Sequence, residues 1–245
     1  MLESLCDGYR AAVFGASGGI GAALVSALLA DPRCAAVYAG ARRALPAEPP
    51  KLRPFRFELE DEASIERAAV ELSEDGPLDL ILVATGILHE ASMRPEKTWR
   101  SLSPAAFNRA FMVNAIGPAL IAKHLLGHLS LRHKAVFAAL SARVGSIADN
   151  RLGGWHAYRA SKAALNMLIR TLSIELALRH KSAVCVALHP GTVDTGLSRP
   201  FRAGVAPESL FTAAQSAAYL LGVIDRLESS QTGKLFAWDG AEIPF

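Results

Sequence analysis

Tyr158 and Lys162 stand four residues apart in Ala157–Leu178, a stretch whose pattern predicts a helix, so the two side chains share one face. A phenol is a poor acid or base at neutral pH because its pKa is about 10. An ammonium beside it favours the phenolate and draws that value toward the range useful for general acid–base catalysis. The same spacing also describes an ordinary pair on a helix surface. Convergence with other groups argues for chemistry. Ser141 follows Ala135–Leu140, an apolar run that predicts a strand, and so lies at a strand's C-terminal end. Gly86, the turn at Gly15 and Pro190-Gly191 occupy the same kind of position. That edge is where open α/β sheets bind ligands. Asn114 lies inside a long helical stretch, where its amide can hold a water or a lysine instead of facing solvent.

The turn itself reads Gly15-Ala16-Ser17-Gly18-Gly19-Ile20-Gly21, a G-x-x-x-G-x-G pattern that follows a strand and opens a helix. Glycine permits the tight bend and lets a pyrophosphate approach peptide N–H groups, while the helix N-terminus favours negative charge. The Ser17 hydroxyl and Gly18 amide are suited to donate to phosphate. The second predicted strand runs into Gly40-Ala41-Arg42-Arg43 with no acid at its end. An acid there would take a ribose 2′-OH, whereas arginine takes a 2′-phosphate, so NADP(H) is favoured over NAD(H). The competing reading leaves Arg42 and Arg43 as solvated loop charges. Glu58-Leu59, ending the third strand, is placed to wall the adenine.

The elements that must position these groups alternate along the chain. Strand-type runs are Ala11–Phe14, Ala35–Ala39, Arg53–Leu59, Leu78–Val83, Ala135–Leu140, Ser182–His189 and Lys234–Trp238. Helix-type stretches are Gly19–Ala30, Asp61–Leu72 with an acidic cap, Ser103 to Leu129 with a proline at its first position, Ala157–Leu178 and Pro207–Ile224. Apolar, non-alternating strands separated by helices imply a parallel sheet covered on both faces. The expected fold is α/β: a three-layer, doubly wound parallel sheet of about seven strands, the Rossmann arrangement. Residues 1–245 read as one domain. The 245 residues are 51% hydrophobic and 20% charged, which excludes wholesale disorder. A net charge of +3, scattered along the chain, gives no footprint for nucleic acid. Uncharged apolar runs such as Leu80–Leu88 fall short of the roughly 18–20 residues that cross a bilayer, and no secretory signal is read. Cys6, Cys34 and Cys185 are odd in number and form no CxxC pair, which fits a reducing cytoplasm.

Taken in order, Gly15-x-x-x-Gly19-x-Gly21, Asn114, Ser141 and Tyr158-x-x-x-Lys162 resemble the short-chain dehydrogenase/reductase family, single-domain branch, over practically the whole chain. Pro190-Gly191-Thr192-Val193-Asp194-Thr195 is similar to the family's segment beside the nicotinamide. Gly86-Ile87-Leu88-His89, Pro95-Glu96-Lys97 and the ending Trp238-Asp239-Gly240 with Ile243-Pro244-Phe245 resemble the C-factor-like subgroup. The resemblance implies that Tyr158 exchanges a proton with the substrate oxygen. It implies that Lys162 binds the nicotinamide ribose and lowers the Tyr158 pKa, that Ser141 holds the carbonyl, and that Asn114 supports a water relay to Lys162. It places Ala84, Thr85, Gly86, Pro190, Gly191, Val193 and Thr195 along the cofactor. A homodimer or homotetramer, paired through the Ser103–Leu129 and Ala157–Leu178 helices, is implied in the same way. The chain departs from the pattern in three places. Val83-Ala84-Thr85-Gly86 keeps only the glycine of the usual Asn-Asn-Ala-Gly, so the polar strut of that turn is missing or supplied by Thr85. The separation of Ser141 from Tyr158, 17 residues, is wider than the commoner spacing, with Ser146 as the competing serine. Gly18 stands where many NADP-users carry a basic residue, so the cofactor expectation rests on Arg42.

The implied function is an NADP-dependent oxidoreductase that moves a hydride between NADPH and a small carbonyl or alcohol substrate. Hydride arriving at a carbonyl carbon creates an alkoxide that donors already aimed at the oxygen stabilise. The alternative is a non-catalytic dinucleotide-binding sensor or intercellular-signalling protein of the C-factor type. A sugar-nucleotide epimerase would need a larger C-terminal domain. A lid is expected at residues 195–211, where Leu197, Pro200, Phe201, Val205 and Leu210 favour an uncharged substrate and Arg199 and Arg202 leave an anion open. His89, His156 and Trp155 flank the expected pocket, and Cys185 reads as core. His124 and His128 share a helix face but lack a third metal ligand, so no metal is expected.

Overall fold

A computed structural model describes residues 2–91, 93–203 and 206–245. Its centre is an eight-stranded sheet. In chain order the strands are β1 (Tyr9–Phe14), β2 (Cys34–Ala41), β3 (Leu52–Arg56), β4 (Leu80–Val83), β5 (Ala135–Leu140) and β6 (Ala183–His189). A short β7 (Thr192–Val193) and β8 (Leu210–Phe211) pair with each other outside that sheet, and β9 (Leu235–Ala237) and β10 (Glu242–Ile243) complete it. The order across the sheet is β10-β9-β6-β5-β4-β1-β2-β3, all parallel except β10 against β9. The chain winds outward from β1 in both directions, so the crevice at the C-terminal ends of β1 and β4 is the topological switch point.

The helices are α1 (Gly19–Ala30), α2 (Glu62–Ser73), α3 (Pro104–Phe111), α4 (Gly117–Leu125), α5 (His156–Arg179) and α6 (Ala213–Arg226). The apolar strands bury both faces. Leu24 and Leu28 of α1 and Leu220 and Val223 of α6 pack one side of the sheet. Ile65 of α2, Ile121 and Leu125 of α4, and Leu165 and Ile169 of α5 pack the other. On that second side Phe14 meets Phe55 and Phe57 edge-on, with ring centroids 5.1 and 4.9 Å apart.

Several expectations are corrected. Asp61 sits at the α2 N-cap, but its side chain makes no cap hydrogen bond and pairs with Arg67. The helix expected over Pro207–Ile224 begins only at Ala213, because Thr212 and Gln215 form a reciprocal capping box there. Pro207–Ser209 is a single 3₁₀ turn that leads into β8. The Ser103–Leu129 helix is interrupted by a π turn, Met112–Ile116, where Gly117 N–H donates to the Met112 carbonyl five residues back. The next residue, Pro118, has no N–H to give the ladder. Pro104–His128 as a whole is long and apolar enough, by length and composition, to cross a bilayer. Counting uncharged runs passed over it because Arg109 and Lys123 interrupt the stretch. Here half of its most apolar window is buried, with α3 against α5 and α4 against α2. Gly204 and Val205 of the expected lid lie outside the described residues.

Candidate active site

The cradle is built first, by backbone. β1 ends at Phe14 and the chain turns at Gly15 with φ of +91°. The Gly15 and Ala16 N–H groups donate to the Gly40 carbonyl at the end of β2. A side chain at Gly21 would put a Cβ 2.1 Å from the Gly15 oxygen, and one at Gly19 would lie 2.6 Å from the Thr195 methyl. The glycines are therefore required for α1 to pack against its own entry turn and against the loop after β7. No side chain caps α1, so its first-turn N–H groups remain free to meet an anion.

Three cavities join into one trench over the crevice. The first, about 380 Å³, reaches from Gly15, Ser17 and Gly18 to Arg42 and Glu58-Leu59. The second, about 410 Å³, holds Gly19, Ile20, Tyr158 and Lys162, and shares Ala84, Thr85 and Gly86 with the first. The third, about 230 Å³, lies beyond Tyr158 and is walled by Gly191, Val193, Trp155, His189 and Phe201. Ser141, Pro190 and Thr195 border both the second and the third. Gly21 stands behind the trench wall rather than on it. A further cavity of about 400 Å³, near Gly127–Arg132 at the opposite edge of the sheet, gathers no comparable set of polar groups.

The Tyr158 end is held by side chains reaching across the fold. Lys162 is 3% exposed and its Nζ donates to the Leu140 carbonyl at 2.7 Å. Nζ lies 6.0 Å from the Tyr158 ring centroid. Burial pushes the Tyr158 phenol up to about 12 and the Lys162 ammonium down to about 7. Both groups sit in a desolvated floor, and removal from water is the cause of each shift.

Ser141 directly follows β5 with its N–H on the Leu188 carbonyl, and its hydroxyl donates to Asn166 Oδ1 at 2.7 Å. Asn166 Nδ2 in turn donates to the Gly145 carbonyl at 3.3 Å. The one Ser141 proton thus faces α5. Tyr158, Lys162 and Asn166 form an i, i+4, i+8 stripe on that helix, and this repeat was the available signal for Asn166, which sequence reasoning missed. Ser146 is no rival. It is buried, and its hydroxyl accepts the Asp149 N–H within its own loop.

Asn114, fully buried in the π turn, accepts the Ile87 N–H at 2.8 Å and donates to the Ile87 carbonyl at 2.9 Å and to Ser161 Oγ at 3.0 Å. Its amide carries no bond to Lys162; it struts the turn after Gly86. Thr85 does not supply that strut, since its Oγ1 is buried with no partner. His189, also missed, opens onto the third cavity with Nδ1 buried and unpartnered. Burial, with Arg143 nearby, holds its pKa down at about 4, so its ring is neutral near pH 7. His89 Nε2 lies 3.1 Å from the Gly196 carbonyl, and its ring meets Phe201 edge-on at 5.5 Å. Trp155 touches both Phe201 and Tyr158, at 5.2 and 6.3 Å between centroids. His124 pairs with Glu62, and no metal-binding group occurs among the described residues. Cys185 is core, its thiol pushed up to about 12 by burial. Arg42 is exposed at the mouth of the first cavity, with no carboxylate at ion-pair distance among the described residues. Close-packed glycines, free helix N–H groups, an unpartnered Thr85 hydroxyl and a free guanidinium fit a pyridine dinucleotide laid along this trench.

The model of the family described as short chain dehydrogenase matches residues 10–206. The chain belongs to the short-chain dehydrogenase family. Among similar curated proteins is the C-signal of Myxococcus xanthus, 34% identical over 69% of this chain and 94% of its own length. That likeness bears out the C-factor-like resemblance. Another is the 1-hydroxy-2-glutathionyl-2-methyl-3-butene dehydrogenase of Rhodococcus, 30% identical over 75% of this chain and 76% of its own. The NADPH-bound carbonyl reductase from chicken fatty liver superposes with a TM-score of 0.86 at 26% identity, covering 99% of this chain and 96% of that one. A carbonyl reductase from Pseudomonas aeruginosa does so at 0.79 and 27% identity, over 97% and all of its length. Membership of this family makes the chain an oxidoreductase with a nicotinamide dinucleotide site, on a Rossmann-type sheet of eight strands.

Proposed function

We propose that the protein is an NADPH-dependent carbonyl reductase for small uncharged ketones or aldehydes. The observation that carries this reading is the placement of a protonated phenol, Tyr158, between the glycine cradle and an apolar cavity of about 230 Å³. When bound, the nicotinamide supplies the hydride. Gly15, Gly19 and the first turn of α1 would hold the diphosphate, with Ser17 and Gly18 donating, while Arg42 would take the 2′-phosphate and Glu58-Leu59 would flank the adenine. Thr85, Pro190, Val193 and Thr195 would border the nicotinamide half. With its pKa at about 12, Tyr158 is protonated throughout the neutral range, which is the form that donates to a developing alkoxide. Lys162, at about 7, changes charge in the working range, so the ribose contact and the pull on the phenol strengthen as pH falls through neutrality. Ser141 donates to a substrate oxygen only by turning its proton off Asn166, exchanging one hydrogen bond for another.

The lining of the third cavity supports a neutral substrate over an anionic one. Arg202 pairs with Asp194, and Arg143 with Asp149 at 2.8 Å. Arg199 is exposed and outside the wall. What faces the substrate is Trp155, Phe201, Leu197 and Val193, with Arg199–Phe201 acting as the lid. A cytoplasmic location belongs to this reading, supported by three free cysteines. So does a homodimer or homotetramer, supported by exposed Met167, Ile174 and Leu178 on one side of α5. The test is titration with NADPH and NADH, followed by a panel of ketones, aldehydes and quinones. Tight NADPH binding with carbonyl turnover is expected. A protein that binds NADPH and transfers no hydride to any member would instead be the non-catalytic sensor, the reading favoured by likeness to C-signal.

A further inference from the structure

We propose that Glu96 is a positioning residue for the proton donor: it reaches in from a distant loop to hold the first turn of α5, and through that turn the Tyr158 phenol. The inference rests on the reading of Tyr158 given above. α5 is 24 residues long yet has no local side-chain cap. Its entry is a run of three left-handed residues, Gly153, Gly154 and Trp155, with φ of +63°, +66° and +53°. Two glycines adopt this freely, but a tryptophan does so at a cost that surrounding structure must offset.

Glu96 supplies the restraint. Its carbonyl accepts the Trp155 N–H at 2.6 Å, and its carboxylate Oε2 accepts the Ala157 N–H at 3.2 Å. The backbone and the side chain of one residue thus grip the N-cap and the second residue of the helix, and Tyr158 comes next. Glu96 is 5% exposed and makes no ion pair among the described residues. A lone buried carboxylate is costly, and the positive end of a long helix is the feature here that compensates it. Its other oxygen, Oε1, is buried with no partner. Glu96, Ala157 and Tyr158 share the wall of a cavity of about 10 Å³, roughly one water in size. A residue wanted only as a cap would have its remaining valence satisfied or exposed. This one keeps a buried, unpartnered oxygen in the cavity wall that it shares with Tyr158.

Displacing a reacting group by about 1 Å costs on the order of a hundredfold in rate. Glu96→Ala is expected to lower kcat about a hundredfold while the NADPH Kd, set by the β1–α1 cradle, stays within about twofold. Glu96→Gln keeps an acceptor for the Ala157 N–H and is expected to restore kcat to within about fivefold of the parent. Hydrogen exchange over residues 153–158 should accelerate in the alanine variant and remain slow in the glutamine variant. The proposal is overturned by a folded Glu96→Ala protein with near-normal kcat. It is equally overturned by kcat and NADPH affinity falling together, or by a glutamine variant no better than the alanine one. If the parent binds NADPH but reduces no carbonyl, the functional reading fails. The exchange comparison then decides by itself whether Glu96 holds the turn, unchanged exchange in Glu96→Ala refuting it.

Discussion

The two ends of the trench are built by different means. At the Gly15 end the geometry is a matter of backbone: a positive φ, two N–H groups on the Gly40 carbonyl, and glycines where a Cβ would meet an oxygen or a methyl. At the Tyr158 end nearly every functional group is fixed by a partner far away in the chain. Lys162 holds Leu140, Ser141 holds Asn166, Asn114 holds Ile87 and Glu96 holds Ala157. The first end needs only absent side chains at fixed spacing and is tolerant of everything else. The second desolvates its groups, moving Tyr158 up and Lys162 down, and so stores a cost that the cradle does not carry.

The comparison breaks most sharply at Tyr158. Tyr158→Phe should reduce carbonyl turnover about a thousandfold, within the range for loss of a general acid, with NADPH Kd unchanged. Near-normal turnover across the carbonyl panel would show that the two ends are not divided into binding and chemistry. Next comes the stored cost. Between the Lys162 pKa of about 7 in the fold and its ordinary 10.5, the unfolded chain holds a proton that the folded chain does not. Stability therefore rises with pH across that window, by up to about 1.4 kcal/mol per unit. Lys162→Met lacks this slope. Urea midpoints should place the variant above the parent near pH 7, with the gap closing toward pH 10. Parallel curves would show that Lys162 is not held neutral by burial.

At the cradle end, Arg42→Ala should weaken NADPH about tenfold and leave NADH alone, as loss of one charge-assisted contact in an exposed setting. Equal effects on both cofactors would remove Arg42 from the 2′-phosphate. The smallest effect is expected at Ser141. Its proton is already engaged by Asn166, so Ser141→Ala should cost kcat less than about tenfold. A loss matching that of Tyr158→Phe would mean that the hydroxyl turns to the substrate and acts as a full partner.

The same division explains what the sequence reveals. The G-x-x-x-G-x-G turn is local, and its glycine positions coincide with the steric requirements. Gly19–Ala30 and Ala135–Leu140 are found at their expected bounds because apolar runs stop at Pro32 and at the polar Ser141. The Tyr158–Lys162 pair is visible as a helix spacing, but the direction of its pKa shifts depends on burial, which a spacing does not carry. Asn114 was legible as an amide inside a helix, yet its bonds to Ile87 run between segments 27 residues apart, and a helical spacing does not carry the π turn from which it makes them. The start of α6 was missed although Thr212 and Gln215 stand at capping-box spacing, because Pro207 offered an earlier start. Glu96 stood out only as part of Pro95-Glu96-Lys97 in the subgroup resemblance, and its role was hidden because its partners lie some sixty residues onward.

The wide turn at Met112–Ile116 amounts to one surplus letter in an otherwise regular rod. Each helical residue turns the rod by about 100°, so that letter sets the phase of α3 against α4. Asn114 rides on the turn itself, and Arg109, which bridges Glu60 and Glu90 beside the first cavity, lies just before it. Losing a single codon there would swing both away from their partners, coupling the mouth of the first cavity and the Gly86 corner through one point in the gene.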